Sequence, residues 1–550
     1  MNCLPTSLGL AVSVPVSTRS SLRAQESAAR NLLIDTACTS RFITVLRRAL
    51  FLLVFLASAS SSFADSAALR LFAAHGDHAV LQRDKPIPVR GWATPGEKVT
   101  VSFADHEAIA TAGPDGAWSV ILPALPASTE PRTLTARTAA ETVTAKDILV
   151  GEVWFCSGQS NMAEFVKRSI TAPEELARPP QPLIRHFRTN PKTFAREPKN
   201  DLDGRWFETN PTTLADALYT SVPYYFARNL SVGLGNIPVG VIVSAVGATR
   251  IDSWMSREAL ASEPKLARAV SDYEKQLAAL DAPAPDSTPT PTPTPAPGVP
   301  TPAPTPDPRV LSKNLPTSLH NAQVAPLEGI PVRGFVWYQG EANRGDATYF
   351  YKMRALLNSW RKAWKQEDLP FLFVQIAPFD YKNRPEPSPE MWETQTRFLS
   401  VPGTAMVVTL DVGDLADIHP RRKREVGERL ANQALSKVYH IPNIVADSPL
   451  YASHRVDGST IAVTFRDVGS GLVSRDGSPL TWFTIAGADG RFVPAQAVIQ
   501  GKDIVIVSSP EVASPVSVRF AWDNKAEPNL MSHEGLPAGS FRTGAPSFTP

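Results

Sequence analysis

Two rhythms of apolar and polar residues divide the chain. Residues 67–150 alternate in short runs. "HAVLQRDKPIPVRGWATPGEKVTVSF" (78–103) breaks at Pro95-Gly96, and "DGAWSVILPAL" and "TLTARTAAETVTAKDILV" carry the alternation to residue 150. Period-two runs broken by Gly and Pro predict short strands, here a small β-sandwich. After residue 150 the runs become continuously apolar: "EVWFCS" (152–157), "IPVGVIVSAVGAT" (237–249), "VRGFVWYQG" (332–340), "PFLFVQIAPF" (370–379) and "GTAMVVTLDVG" (403–413). Helical spacing lies between them. Phe350, Met353, Leu357, Trp360 and Trp364 make one stripe, and Val426, Leu430 and Ala434 another. Buried strands alternating with amphipathic helices predict an α/β domain over 151–444, a parallel sheet covered on both faces. Alternation returns from about 445 in "STIAVTFRDV", "DIVIVSS" and "PVSVRFAWDN", so 445–550 reads as a C-terminal β-rich region.

Two segments stand outside this pattern. "DAPAPDSTPTPTPTPAPGVPTPAPTPDP" (281–308) cannot bury apolar area and reads as an extended, disordered Pro/Thr-rich insert. Residues 1–64 read as a signal peptide with an N-terminal extension. Arg47-Arg48 precede the apolar run "ALFLLVFLASASSSFA", and Ser62-Phe63-Ala64 fits cleavage after Ala64. Either the chain starts near residue 45 or the leader is long. The expected location is secreted or periplasmic, without stable membrane insertion after cleavage.

Composition changes this picture little. The 550 residues carry a net charge of +2, which points to neither nucleic acid nor a membrane surface as partner. The basic run Arg421-Arg422-Lys423-Arg424 reads as the solvated first turn of a helix. Of three cysteines, cleavage would leave Cys156 alone, a small core residue on a strand. No H-E-x-x-H or Cys/His ligand spacing is present, so neither metal nor cofactor is expected.

The chemistry gathers at strand ends, where open α/β sheets bind ligands. "EVWFC" runs into Ser157-Gly158-Gln159-Ser160-Asn161. A serine needs a base to take its proton. Among nine histidines, His419 follows the strand "AMVVTLDVG" and has Asp417 two residues before it. A carboxylate there can fix the imidazole tautomer. Gly247 and the cluster Gln339-Gly340-Glu341-Ala342-Asn343 end two other strands and offer donors for an oxyanion. Taken singly, each of these is also ordinary turn chemistry.

"GEVWFCSGQSNM", "VSAVGATRIDSWM", "VWYQGEAN" and "DIHPRRKREVGERLA" together resemble the sialic acid-specific acetylesterase family, a branch of the SGNH hydrolases. The flanking "LFAAHGDHAVLQRDKPIPVRGWATPGEKVTV" and "VRFAWDNKAEPNLMSHEGLPAGSFRT" extend the resemblance over most of 68–545, the insert excepted. It implies an SGNH-hydrolase-like (flavodoxin-like) fold and a serine esterase that removes acetyl groups from O-acetylated sialic acids. Ser160 matches the nucleophile, and its amide would be one oxyanion donor. Gly247 would supply a second donor and Gln339 a third. His419 matches the base, oriented by Asp417 or by Glu341. Gln159 and Asn161 are expected to hold the serine turn and line the substrate site, Asn343 to contact substrate, and Trp254 reads either as core or as a platform for a sugar ring. Two positions depart from the family pattern: Ala248 stands where relatives often carry glycine, and the aromatic after the serine motif falls on Phe165. The alternatives are an acetylxylan or other glycan acetylesterase, and a glycan-binding protein without catalysis. The only partner expected is an O-acetylated carbohydrate.

Overall fold

The computed structural model describes residues 68–282, 311–382 and 388–544. The expected leader with its cleavage after Ala64 lies outside them, as do residues 283–308 of the Pro/Thr-rich insert. The insert's first residue, Asp281, ends the helix Ala267–Asp281.

Seven strands of an eleven-stranded mixed sheet follow one another in the order Gly204–Thr209, Gln181–Thr189, Val239–Ala245, Thr142–Gly158, Gly334–Tyr338, Phe371–Val374, Thr404–Val407. All neighbours are parallel except Gly204–Thr209, which runs antiparallel at one edge. The apolar runs form strands because both of their faces are covered. Alternate residues of Thr142–Gly158 serve opposite sides: Trp154 and Cys156 join one core, Val153 and Phe155 the other. On the first side lie Val222, Phe226 and Leu230 of the helix Ser221–Gly233, and Val426, Leu430 and Ala434 of the helix Lys423–Lys437. On the second, Phe350, Met353, Leu357 and Trp360 of the helix Tyr349–Ala363 reach the sheet through Phe335 and Trp337. The helical stripes bury as their spacing predicts, and Cys156 is a core thiol.

The strand Thr142–Gly158 runs without a break through residue 150, where the patterning changes. Its first half pairs antiparallel with Ser128–Arg137, and Val80–Gln82 pairs with it parallel at residues 149–151. Its second half pairs on both sides within the parallel sheet. A second β layer, Arg70–Leu71, Ile87–Trp92 and Ala117–Leu122, packs Val89, Trp118 and Val120 into the same core as Val99, Val101 and Phe103. The N-terminal strands thus share a strand with the parallel sheet. Beyond residue 449 come two four-stranded antiparallel sheets and the pair Leu472–Ser474 with Leu530–Ser532.

The strand ends at Gly158, where φ is +143°. A Cβ added there would collide with the Tyr338 carbonyl oxygen on the adjacent strand. The two strands approach this closely because the position has no side chain. Gly158→Ala should therefore separate the strands and lower stability by about 3 kcal/mol, read as the shift of a chemical-denaturation midpoint. An unchanged midpoint would show that this approach is not required.

Candidate active site

Ser160 opens the short helix Ser160–Ala163 directly after the strand, with Gln159 extended before it at its N-cap. The same cleft, of about 280 Å³, is lined by Ser160, Gly247 and His419. Gly247 packs on the serine: a Cβ placed on it would lie 3.4 Å from the Ser160 Cβ. The carbonyls of the glycine turn are tied down from outside. Lys313 Nζ donates to Gly247 O at 2.6 Å, and Asn314 Nδ2 to Ala248 O at 3.2 Å. Ala248 holds φ = +58°, a left-handed conformation that costs a residue with a Cβ about 1 kcal/mol. That cost explains why glycine suits this position. Among the described residues, neither the Ser160 nor the Gly247 amide donates to a protein acceptor.

His419 is 28% exposed at its side chain, and its Nδ1 lies 3.5 Å from Asp417 Oδ1. That oxygen also accepts the His419 backbone N–H at 2.9 Å. Asp417 is itself open to solvent and has Arg168 Nη2 4.0 Å from its other oxygen. Glu341 lies beneath. Its Oε1 accepts from Asn161 Nδ2 at 2.6 Å, and its buried Oε2 has no hydrogen-bond partner. Burial pushes this carboxyl above its ordinary range, against the opposing pull of its own loop's backbone, Asn161, Lys423 and His419. A hydroxyl and an imidazole in one cleft, with two carboxylates behind and free amides beside them, can carry out nucleophilic acyl transfer.

Several expected contacts turn out to be framework. Asn161 uses both amide hydrogens and its side-chain oxygen internally. Its Nδ2 donates to Glu341 Oε1 and, at 3.1 Å, to Ile418 O, and its Oδ1 accepts from Lys423 Nζ at 2.5 Å. Gln339 has no amide hydrogen left for an oxyanion in this arrangement. Both its amide hydrogens are used, on Thr249 O at 3.1 Å and Asn343 Oδ1 at 2.8 Å, while Tyr349 Oη donates to its Oε1. Asn343 is buried between the Ile251 amide, Gln339 and Asp346, which take up its side-chain amide. Trp254 is fully buried edge-on to Trp337, its indole N–H on Thr249 Oγ1, and has no ring face for a sugar. Gln159 braces the glutamate loop by accepting from the Gly340 and Ala342 amides.

Sequence reasoning missed three side chains. Lys423, placed in a solvated turn, is fully buried. Desolvation pulls its ammonium down to about 8 against the attraction of Glu164, Glu341 and Asp417. Arg168 and Arg188 line the cleft beside Phe165. No motif marks them. Only their place in the fold does, Arg168 at the end of the short helix Val166–Arg168 and Arg188 near the end of the strand Gln181–Thr189.

Two outcomes follow from this framework. Asn161→Ala leaves Glu341 Oε1, Lys423 Nζ and Ile418 O without their partner. It should cost at least about 2 kcal/mol in denaturant unfolding, and a cost below half of that would contradict the node. The Lys423 value in the folded state lies below the roughly 10.4 of a free lysine. The unfolded chain therefore binds more protons between the two values, and stability rises with pH in that window. Wild type should gain stability relative to Lys423→Met from pH 8 to about 10.4. A flat difference would place Lys423 in contact with solvent.

Comparison with known proteins identifies the chain. The carbohydrate esterase, sialic acid-specific acetylesterase family model matches residues 315–436. A solved carbohydrate acetylesterase from Xanthomonas citri is 32% identical, with a TM-score of 0.74 over 87% of this chain and 100% of that one. Sialate O-acetylesterase from Rattus norvegicus is 28% identical over 427 residues, 69% of this chain and 75% of that protein. The Homo sapiens sialate O-acetylesterase is 25% identical over 395 residues, 66% and 69% respectively. The chain belongs to the sialic acid-specific acetylesterase family of carbohydrate esterases, a family of carboxylic ester hydrolases.

Proposed function

We propose that this carbohydrate esterase removes acetyl groups from O-acetylated sialic acids through an acetyl-enzyme on Ser160. The observation that carries the reading is the meeting of Ser160, Gly247 and His419 in one cleft. His419 takes the Ser160 proton, and Oγ attacks the acetyl carbonyl. The Ser160 and Gly247 amides receive the oxyanion. His419 then protonates the departing sugar oxygen, and a water activated by the same imidazole releases acetate and restores the serine.

Asp417 is the carboxylate that orients His419 in this reading, on the 3.5 Å approach to Nδ1. One observation favours a second assignment: Glu341 keeps a buried, unpartnered carboxylate oxygen within the electrostatic reach of His419. The sheet and its serine turn support an SGNH-hydrolase-like domain over 151–444, and the two N-terminal β layers support a sandwich over 67–150. The C-terminal sheets support a β-rich region over 445–550. No described helix is long and apolar enough to cross a membrane, and the leader pattern of residues 1–64 supports export.

Ser160→Ala should lower acetate release by about four orders of magnitude or more. Near-normal release would sink the assignment. Asp417→Asn should cost about a thousandfold in kcat, with Glu341→Gln costing less. The opposite order would give the orienting role to Glu341. Acetylated xylan assayed in parallel tests the alternative glycan.

A further inference from the structure

The cleft contains a cation that the acyl-transfer chemistry leaves unused. Arg188 lines it together with Ser160 and His419. It lies near the end of the strand Gln181–Thr189, level with Val243, which is level in turn with Cys156 on the serine strand. Two strand spacings, about 10 Å, separate Arg188 from the serine strand, with Ser160 four residues farther along. A sugar with its substituents spans such a gap.

The electrostatic setting of Arg188 differs from that of its neighbour. Arg168, the other arginine of the cleft, has Glu164 at 3.0 Å and Asp417 at 4.0 Å. Among the described residues, Arg188 has no carboxylate within ion-pair distance. Its Nη1 donates to the Ala217 carbonyl at 2.8 Å. The Phe165 ring, 4.7 Å from its Cζ, backs the guanidinium. The group is partly buried, and desolvation disfavours its charge. A guanidinium stays protonated all the same. It is anchored on one nitrogen, supported on one face and short of a counter-charge. Its remaining N–H donors match the two oxygens of a carboxylate.

We propose that Arg188 is a specificity-determining residue that takes the carboxylate of an acidic acetylated sugar and selects such sugars over neutral acetylated glycans. The inference rests on the reading of this cleft as the esterase site. A neutral sugar leaves the arginine uncompensated. An acidic one supplies the missing charge while its acetyl group reaches Ser160.

Binding separates this claim from catalysis. In full-length Ser160→Ala protein, calorimetry with O-acetylated sialic acid and with its carboxyl methyl ester compares one sugar with and without the charge. The acid should bind at least about tenfold more tightly. Added salt should weaken the acid more than the ester. The ratio should fall towards one with Arg188→Gln and be kept in part by Arg188→Lys, which also stands in should the glutamine variant fold poorly. Equal affinity for acid and ester, binding of neither, or a ratio untouched by both substitutions overturns the proposal. Acetate release by the wild type tests the esterase reading separately. A charge preference without release would retain Arg188 and reject the acyl-transfer mechanism. Release without a charge preference would do the reverse.

Discussion

The site depends on one buried side-chain amide. Ser160 and His419 lie far apart in the sequence, and the proposed acyl transfer needs them held in register. Asn161, next to the serine, reaches the glutamate loop through Glu341, the histidine loop through Ile418 O, and the following helix through Lys423. A hydroxyl or an aliphatic side chain could not make all three bonds. The arrangement also places a buried cation and a buried carboxyl on either side of one neutral amide. Burying such charges is a weak source of stability. Its effect here is geometric, since three bonds tie the glutamate loop, the histidine loop and the following helix to one side chain.

The sheet supplies the platform on which this node acts. The serine strand continues out of the N-terminal β layers into the centre of the parallel sheet, so the serine turn is anchored over many residues. Gly158 lets the Tyr338 strand close against it, and the Gln159 amide donates to Tyr338 O at 3.0 Å. On the other side, Lys313 and Asn314 hold the carbonyls of the Gly247–Ala248 turn away from the cleft. In the proposed mechanism, amides fixed before any substrate arrives need no reorganisation when charge develops.

The parts of this architecture written in local periodicity were legible in the sequence. Continuous apolar runs gave strands, stripes at helical spacing gave the covering helices, and polar knots at strand ends marked the cleft. What depended on long-range pairing was not legible. Gln339 has the composition of an oxyanion donor, but Thr249 and Asn343 consume its hydrogens, and only the folded loops bring them there. Trp254 could be read as core or as a sugar platform, and its burial edge-on to Trp337 makes it core. Lys423 sits in a basic run whose neighbours Arg421 and Arg422 do face solvent, and the helical turn sends its side chain inward. The change of rhythm at residue 150 is real, yet the backbone strand continues through it, because patterning records what covers a strand and not where the strand ends.

The central claim is that Ser160 carries the acetyl group between attack and hydrolysis. The direct test is rapid acid quenching of the enzyme during turnover of O-acetylated sialic acid, followed by peptide mass analysis. The account predicts a peptide containing Ser160 heavier by one acetyl group, absent from the Ser160→Ala protein and from enzyme without substrate. Steady acetate release with no acetylated peptide at any quench time, or with the acetyl group on another residue, would contradict it.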